Sequence, residues 1–68
     1  MSPVLETVIR VLEQAGDAMP AREIHAAACE LLGKPLLLKS VKAALAAHTD
    51  GPKPRFERVR RGYYQPLL

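Results

Sequence analysis

Lys53-Pro54-Arg55-Phe56-Glu57-Arg58-Val59-Arg60-Arg61-Gly62-Tyr63-Tyr64 carries the strongest fold signal in the chain. Aromatic and β-branched residues flank a glycine here, which predicts strands over Arg55–Val59 and Tyr63–Pro66 joined around Arg60-Arg61-Gly62. The glycine supplies the positive φ that a tight hairpin turn needs. Phe56 and Val59 are three apart, so strict alternation fails, and a bulge or an early strand end is expected. Phe56 and one tyrosine, preferably Tyr64, should cover the open side of whatever precedes the hairpin. Tyr63 should point the opposite way if its strand is regular.

The same stretch holds half of the ten Lys and Arg residues. Residues 39–68 set Lys39, Lys42, Lys53, Arg55, Arg58, Arg60 and Arg61 against Asp50 and Glu57, a net +5. Residues 1–38 set Arg10, Arg22 and Lys34 against Glu6, Glu13, Asp17, Glu23 and Glu30, a net −2. Such segregation on a small chain is the electrostatic footprint of a polyanion binder.

Upstream of the hairpin the pattern is helical. Ser2-Pro3 reads as a hydroxyl N-cap followed by proline at the first helical position. Val4, Leu5, Val8, Ile9, Leu12 and Ala15 follow the helical period and predict a helix over 3–15 ended by Gly16. Ala18-Met19-Pro20 is expected to be short and extended, because a residue before proline is pushed out of the α region. A second helix is expected from Ala21 to Leu32, with Ile24, Ala27, Ala28, Leu31 and Leu32 as its apolar stripe and Gly33 and Pro35 as its stop. Leu36-Leu37-Leu38 reads as an apolar turn or a loose first turn of helix. A third helix is expected over roughly 38–48, with Val41, Ala44, Leu45 and His48 inward and Lys39, Ser40, Lys42, Ala43 and Ala46 elsewhere, closed by Asp50-Gly51-Pro52. The fold class is therefore mainly α with a small β-hairpin (α+β). The order of three helices and a C-terminal hairpin describes a winged helix-turn-helix in one domain spanning 1–68, with its core at about 3–66.

Composition narrows the function. A 68-residue chain buries a modest fraction of its surface, so its stability depends on an efficient core. One cysteine, Cys29, excludes an internal disulfide, and one Cys with two dispersed His residues argues against zinc. Hydrophobic residues make up 49% of the chain, enough for an aliphatic core, and the 25% charged share argues against wholesale disorder. No apolar run approaches the ~20 residues of a membrane span, and no secretory signal is recognised. A cytoplasmic location, nucleoid-associated in a prokaryote, is the natural expectation. Carboxylate pairs, a nucleophile with its base and glycine-rich phosphate loops are all missing, so neither enzymatic activity nor a cofactor is expected.

Three further stretches carry a family resemblance. The first helix ends in glycine and is followed by Met19-Pro20-Ala21-Arg22-Glu23-Ile24. Ser40-Val41 precedes Ala44-Leu45 in the third helix. Arg55-Phe56, Val59, Arg61-Gly62 and Tyr64 punctuate the hairpin. Over nearly its whole length the chain resembles winged-helix domains of the HARE type. These modules occur in chromatin factors, restriction systems and a bacterial RNA-polymerase subunit. The resemblance implies double-stranded DNA as partner and a targeting role in a modification, restriction or transcription function, with no catalysis by the domain itself.

In such a fold the third helix enters the major groove and the hairpin reaches the backbone or the adjacent minor groove. Lys39, Ser40, Lys42, Ala43 and Ala46 would face the duplex, the lysines reaching phosphates or guanine edges and Ser40 donating to a phosphate. The bland alternative is a solvated helix face. Arg60 and Arg61 at the hairpin tip, backed by Arg58 and Arg55, suit phosphates or a narrow minor groove. Their bland alternative is a charged turn that keeps a sheet edge soluble. Tyr63 would contact a sugar-phosphate. Arg22 would touch a backbone phosphate, or pair with Glu23 or Glu30. His25 reads as a lone exposed histidine, His48 as an inner or capping residue, and Cys29 as a small buried one. A protein partner or a second copy docking at the 36–38 turn is the competing class, and RNA or a left-handed duplex is a third.

Overall fold

A computed structural model describes residues 3–67 of the chain, so the expected Ser2 cap lies outside the described residues. Six elements follow in order: α1 (Pro3–Ala15), β1 (Met19–Pro20), α2 (Ala21–Leu32), α3 (Leu38–Ala47), β2 (Phe56–Arg60) and β3 (Tyr63–Pro66). Three helices pack with one three-stranded antiparallel sheet of order β1-β3-β2. This is an α+β architecture, with each element close to where its local signals predict it.

The helices are central to the core. Pro3 sits in the first turn of α1 with Glu6, where a carboxylate complements the helix dipole. Leu5, Val8, Val11 and Leu12 of α1 meet Ile24 and Ala28 of α2, Val41 and Leu45 of α3, and Phe56 of β2 in one buried cluster. The buried face of α1 differs from the expected stripe. Thr7 and Val11 are buried, whereas Ala15 is exposed. α1 packs against α2, α3 and β3 together, which widens its covered face beyond the stripe that one partner would need. Thr7 remains satisfied there, its Oγ1 donating to the Pro3 carbonyl at 2.6 Å. On α2 the expected stripe is incomplete: Ile24 and Ala28 are buried and Ala27 and Leu32 half-buried, but Leu31 is 44% exposed.

Two glycines place the chain breaks. Gly33 caps α2 in the left-handed region at φ 79°, its N–H donating to the Cys29 carbonyl at 2.9 Å. Gly62, also at φ 79°, turns the hairpin, and its carbonyl accepts from Ala21 N–H at 2.9 Å. A Cβ on Gly62 would meet nothing within 4 Å. Gly62→Ala therefore carries only the left-handed backbone penalty, about 1 kcal/mol. Thermal melting followed by circular dichroism should show a Tm about 4–8 °C lower.

The connection between α2 and α3 is held by contacts that local pattern does not announce. His25 is half-buried rather than exposed, and its Nε2 lies 2.6 Å from the Leu36 carbonyl. A carbonyl only accepts, so this nitrogen carries the ring proton. Leu36 N–H in turn donates to Cys29 Sγ at 3.3 Å. Cys29 is half-buried rather than fully buried, and its sulfur serves as an acceptor for the loop. Leu36 thereby packs against the core, while Leu37 caps α3 from outside at 65% exposure and Leu38 begins the helix. α3 ends at Ala47, one residue earlier than expected, with His48 as its C-cap.

Candidate functional site

The hairpin is anchored directly to the end of α3. The His48 carbonyl accepts from both Arg55 N–H, at 2.6 Å, and Phe56 N–H, at 3.1 Å. The Arg55 carbonyl accepts from Leu67 N–H at 3.0 Å, which closes the base of the hairpin. Phe56, 1% exposed, then plugs β2 into the core, and Tyr64 packs beside it as its position in the sequence suggests. Met19, paired with Tyr64 in the sheet, covers the same side.

β2 runs Phe56–Arg60, one residue later than expected at each end, and the turn is Arg61-Gly62 alone. The register passes from Arg58 opposite Tyr64 to Arg60 opposite Tyr63, so Val59 is the extra residue of a bulge. Its consequence is a change of face. Directly paired residues share a face and neighbours along a strand alternate. Phe56, Arg58 and Tyr64 therefore form the inner face, and Glu57, Gln65, Tyr63 and Arg60 the outer one. Two contacts agree with this: Gln65 Nε2 donates to Glu57 Oε1 at 2.8 Å, and the Arg60 guanidinium lies over the Tyr63 ring at 3.9 Å. Without the bulge Arg60 would share the inner face with Arg58. The cation–π contact orders Arg60 at the tip while leaving it exposed.

The expected site residues fall into two groups. On α3, Lys39, Lys42, Ala43 and Ala46 are exposed, and Ser40 is half-buried with its N–H donated to the Leu37 carbonyl at 3.0 Å. Ala46 and inner-face Arg58 line one cleft of about 460 Å³ between the end of α3 and the hairpin. Asp50 and Glu57 line it as well, so the cleft itself is less cationic than the charge count along the chain implies. The other group gathers at the hairpin tip, where Arg60, Arg61 and Tyr63 lie near the start of α2. Arg22 joins them through the chain, since the preceding Ala21 N–H bonds to Gly62 and Pro20 pairs with Tyr63. Arg55 is exposed at the hairpin base.

Among the described residues no ion pair joins these cations to a carboxylate, Arg22 with Glu23 or Glu30 included. The guanidinium and ammonium groups are therefore available to an external anion. The staple formed by His25, Cys29 and Leu36 was not legible as a unit. The only local hint is that His25 and Cys29 stand one helical turn apart, just before a Gly-Lys-Pro break. No described helix is long and apolar enough to cross a membrane. Comparison with protein-family models, with curated proteins and with solved structures finds no match to this chain.

Proposed function

We propose that this chain is a winged helix-turn-helix module of HARE-like type that binds double-stranded DNA. α3 would enter the major groove, and the hairpin would act as the wing on the backbone or in the adjacent minor groove. The observation that carries this reading is the pinning of α3 and the hairpin to one carbonyl, that of His48, with unpaired cations on both. A rigid pair of cationic elements suits phosphate positioning, and the small exposed side chains of Ala43 and Ala46 allow close approach to base edges. Arg22, Arg55, Arg58, Arg60, Arg61 and Tyr63 would bind phosphate and sugar, Lys39, Ser40 and Lys42 the groove. The module is a non-catalytic one in this reading. It works on DNA in the cytoplasm or nucleoid and directs a modification, restriction or transcription function.

Fluorescence anisotropy of a labelled generic duplex tests this, beside a single strand and an RNA duplex. Micromolar affinity for the DNA duplex at about 50 mM salt, weakened by orders of magnitude at about 200 mM, is expected from counterion release. A folded protein that leaves the duplex unbound at low salt removes the proposal.

A second reading has one observation in its favour. Leu37, fully a helix cap yet 65% exposed, offers with Leu38 an apolar point for a protein partner. Leu36 is not part of that surface, being turned toward the core. A complex insensitive to salt and lost on Leu37→Ser would favour docking over DNA.

A further inference from the structure

Three of the seven acidic residues, Glu13, Asp17 and Glu57, line a groove of about 780 Å³ where the base of the hairpin meets the end of α1. Gly16, Gln65, Pro66 and Leu67 complete its lining, Leu67 being 45% exposed. No Lys or Arg is among its described lining residues. Gln65 orients the Glu57 carboxylate, and Asp17 Oδ1 accepts from Ala18 N–H at 2.8 Å, but none of the three carboxylates meets a cation among the described residues. A lining that joins three carboxylates to Pro66 and Leu67 fits a cationic segment that also carries apolar surface.

The hairpin tip of the same protein is such a segment. It presents Arg60 and Arg61, with Tyr63 beneath Arg60 and Val59 exposed at the bulge. Because the bulge turns Arg60 outward, the outer face of the hairpin runs from Glu57 at its base to Arg60 at its tip. A hairpin cannot lay its own tip on its own base, since its paired strands hold the two roughly 13 Å apart. A second copy, rotated about a two-fold axis, can do so twice: each tip meets the other copy's groove. Such a contact is self-complementary and closes at two subunits.

The geometry points to a symmetric antiparallel homodimer in which Arg60 and Arg61 of each subunit dock against Glu13, Asp17 and Glu57 of the other, so that the dimer competes with the use of the same arginines on DNA. The chain measures only 29 × 22 × 19 Å, so a hairpin-wide contact lies at the small end of specific interfaces. Its charged rim makes it sensitive to salt.

Sedimentation velocity on the whole chain, without DNA, tests this separately from the function proposed above. A monomer–dimer equilibrium is expected at about 10 mM salt, with the dissociation constant raised at least roughly tenfold at about 1 M, where the Debye length falls from about 30 to about 3 Å. The groove variant, Glu13→Lys with Asp17→Lys, and the tip variant, Arg60→Glu with Arg61→Glu, should each be monomeric at low salt. Mixed in equal amounts they should recover the dimer, because both contacts again join opposite charges. Glu57→Gln, a milder change, should weaken the dimer while circular dichroism stays unchanged. A wild-type chain that stays monomeric at low salt, growth beyond two subunits, dimers that survive either charge reversal, or no recovery on mixing overturns the proposal.

Discussion

Phe56→Ala should cost the domain a third or more of its stability. The ring is 1% exposed and is the one hydrophobic side chain of β2 within the buried cluster. Truncating a buried Phe costs about 3–5 kcal/mol, the lost transfer energy plus the cavity. A domain of this size has a total stability of roughly 3–10 kcal/mol. The substitution thus removes between a third and all of it, and the residue sits where β2 is held to His48, so the anchorage of the hairpin goes with it. Urea denaturation followed by far-UV circular dichroism measures the loss. Val59→Ala on the same strand is the control. That side chain is 44% exposed at the bulge, so its replacement should change stability by no more than about 0.5 kcal/mol. A Phe56→Ala protein that melts like wild type would mean the hairpin is not part of the cooperative core.

Arg60→Ala combined with Arg61→Ala should leave the fold intact and weaken duplex binding on the order of tenfold at low salt. Both side chains are exposed and neither is paired to a carboxylate among the described residues, so the fold loses only the stacking of Arg60 on Tyr63. Each cation that replaces a condensed counterion adds about 0.9 to the salt slope, so the double variant should flatten the plot of log affinity against log salt by about 1.8. Phosphate contacts carry no sequence information, so the loss should be equal for all duplexes. Arg10→Ala, exposed on α1, an element that supplies none of the proposed contacts, should leave both affinity and slope unchanged. Unchanged binding in the double variant would take the hairpin tip out of the DNA reading while leaving α3 in it.

The candidate site was legible in part. Which residues are cationic, and that they collect on α3 and the hairpin, follows from composition and periodicity. That these side chains stay unpaired could not be read, because an ion pair depends on distances between elements far apart in the chain. The sequence likewise suggested an exposed His25 and a buried Cys29. Helical periodicity assigns a residue to a face but says nothing about which loop will cross that face. Here the Leu36 backbone does, and it draws both side chains into one hydrogen-bonded staple.

The features readable from the chain alone are local. Helix and strand periods, proline at a helix start and glycine at positive φ act within a few residues, so element order, the cap at Gly33, the turn at Gly62 and the inward Phe56 and Tyr64 could all be read directly. Tertiary structure decided what depends on partners. Three elements packed on α1 buried Thr7 and Val11, while Leu31, on the expected stripe of α2, stayed exposed. Pairing with β3 made Met19-Pro20 a strand rather than a link. The position of the bulge decided the face of Arg60. An irregularity near Val59 was foreseeable from the broken alternation, but its place is set by which cross-strand register lets Phe56 fill the core while Gly62 makes the turn.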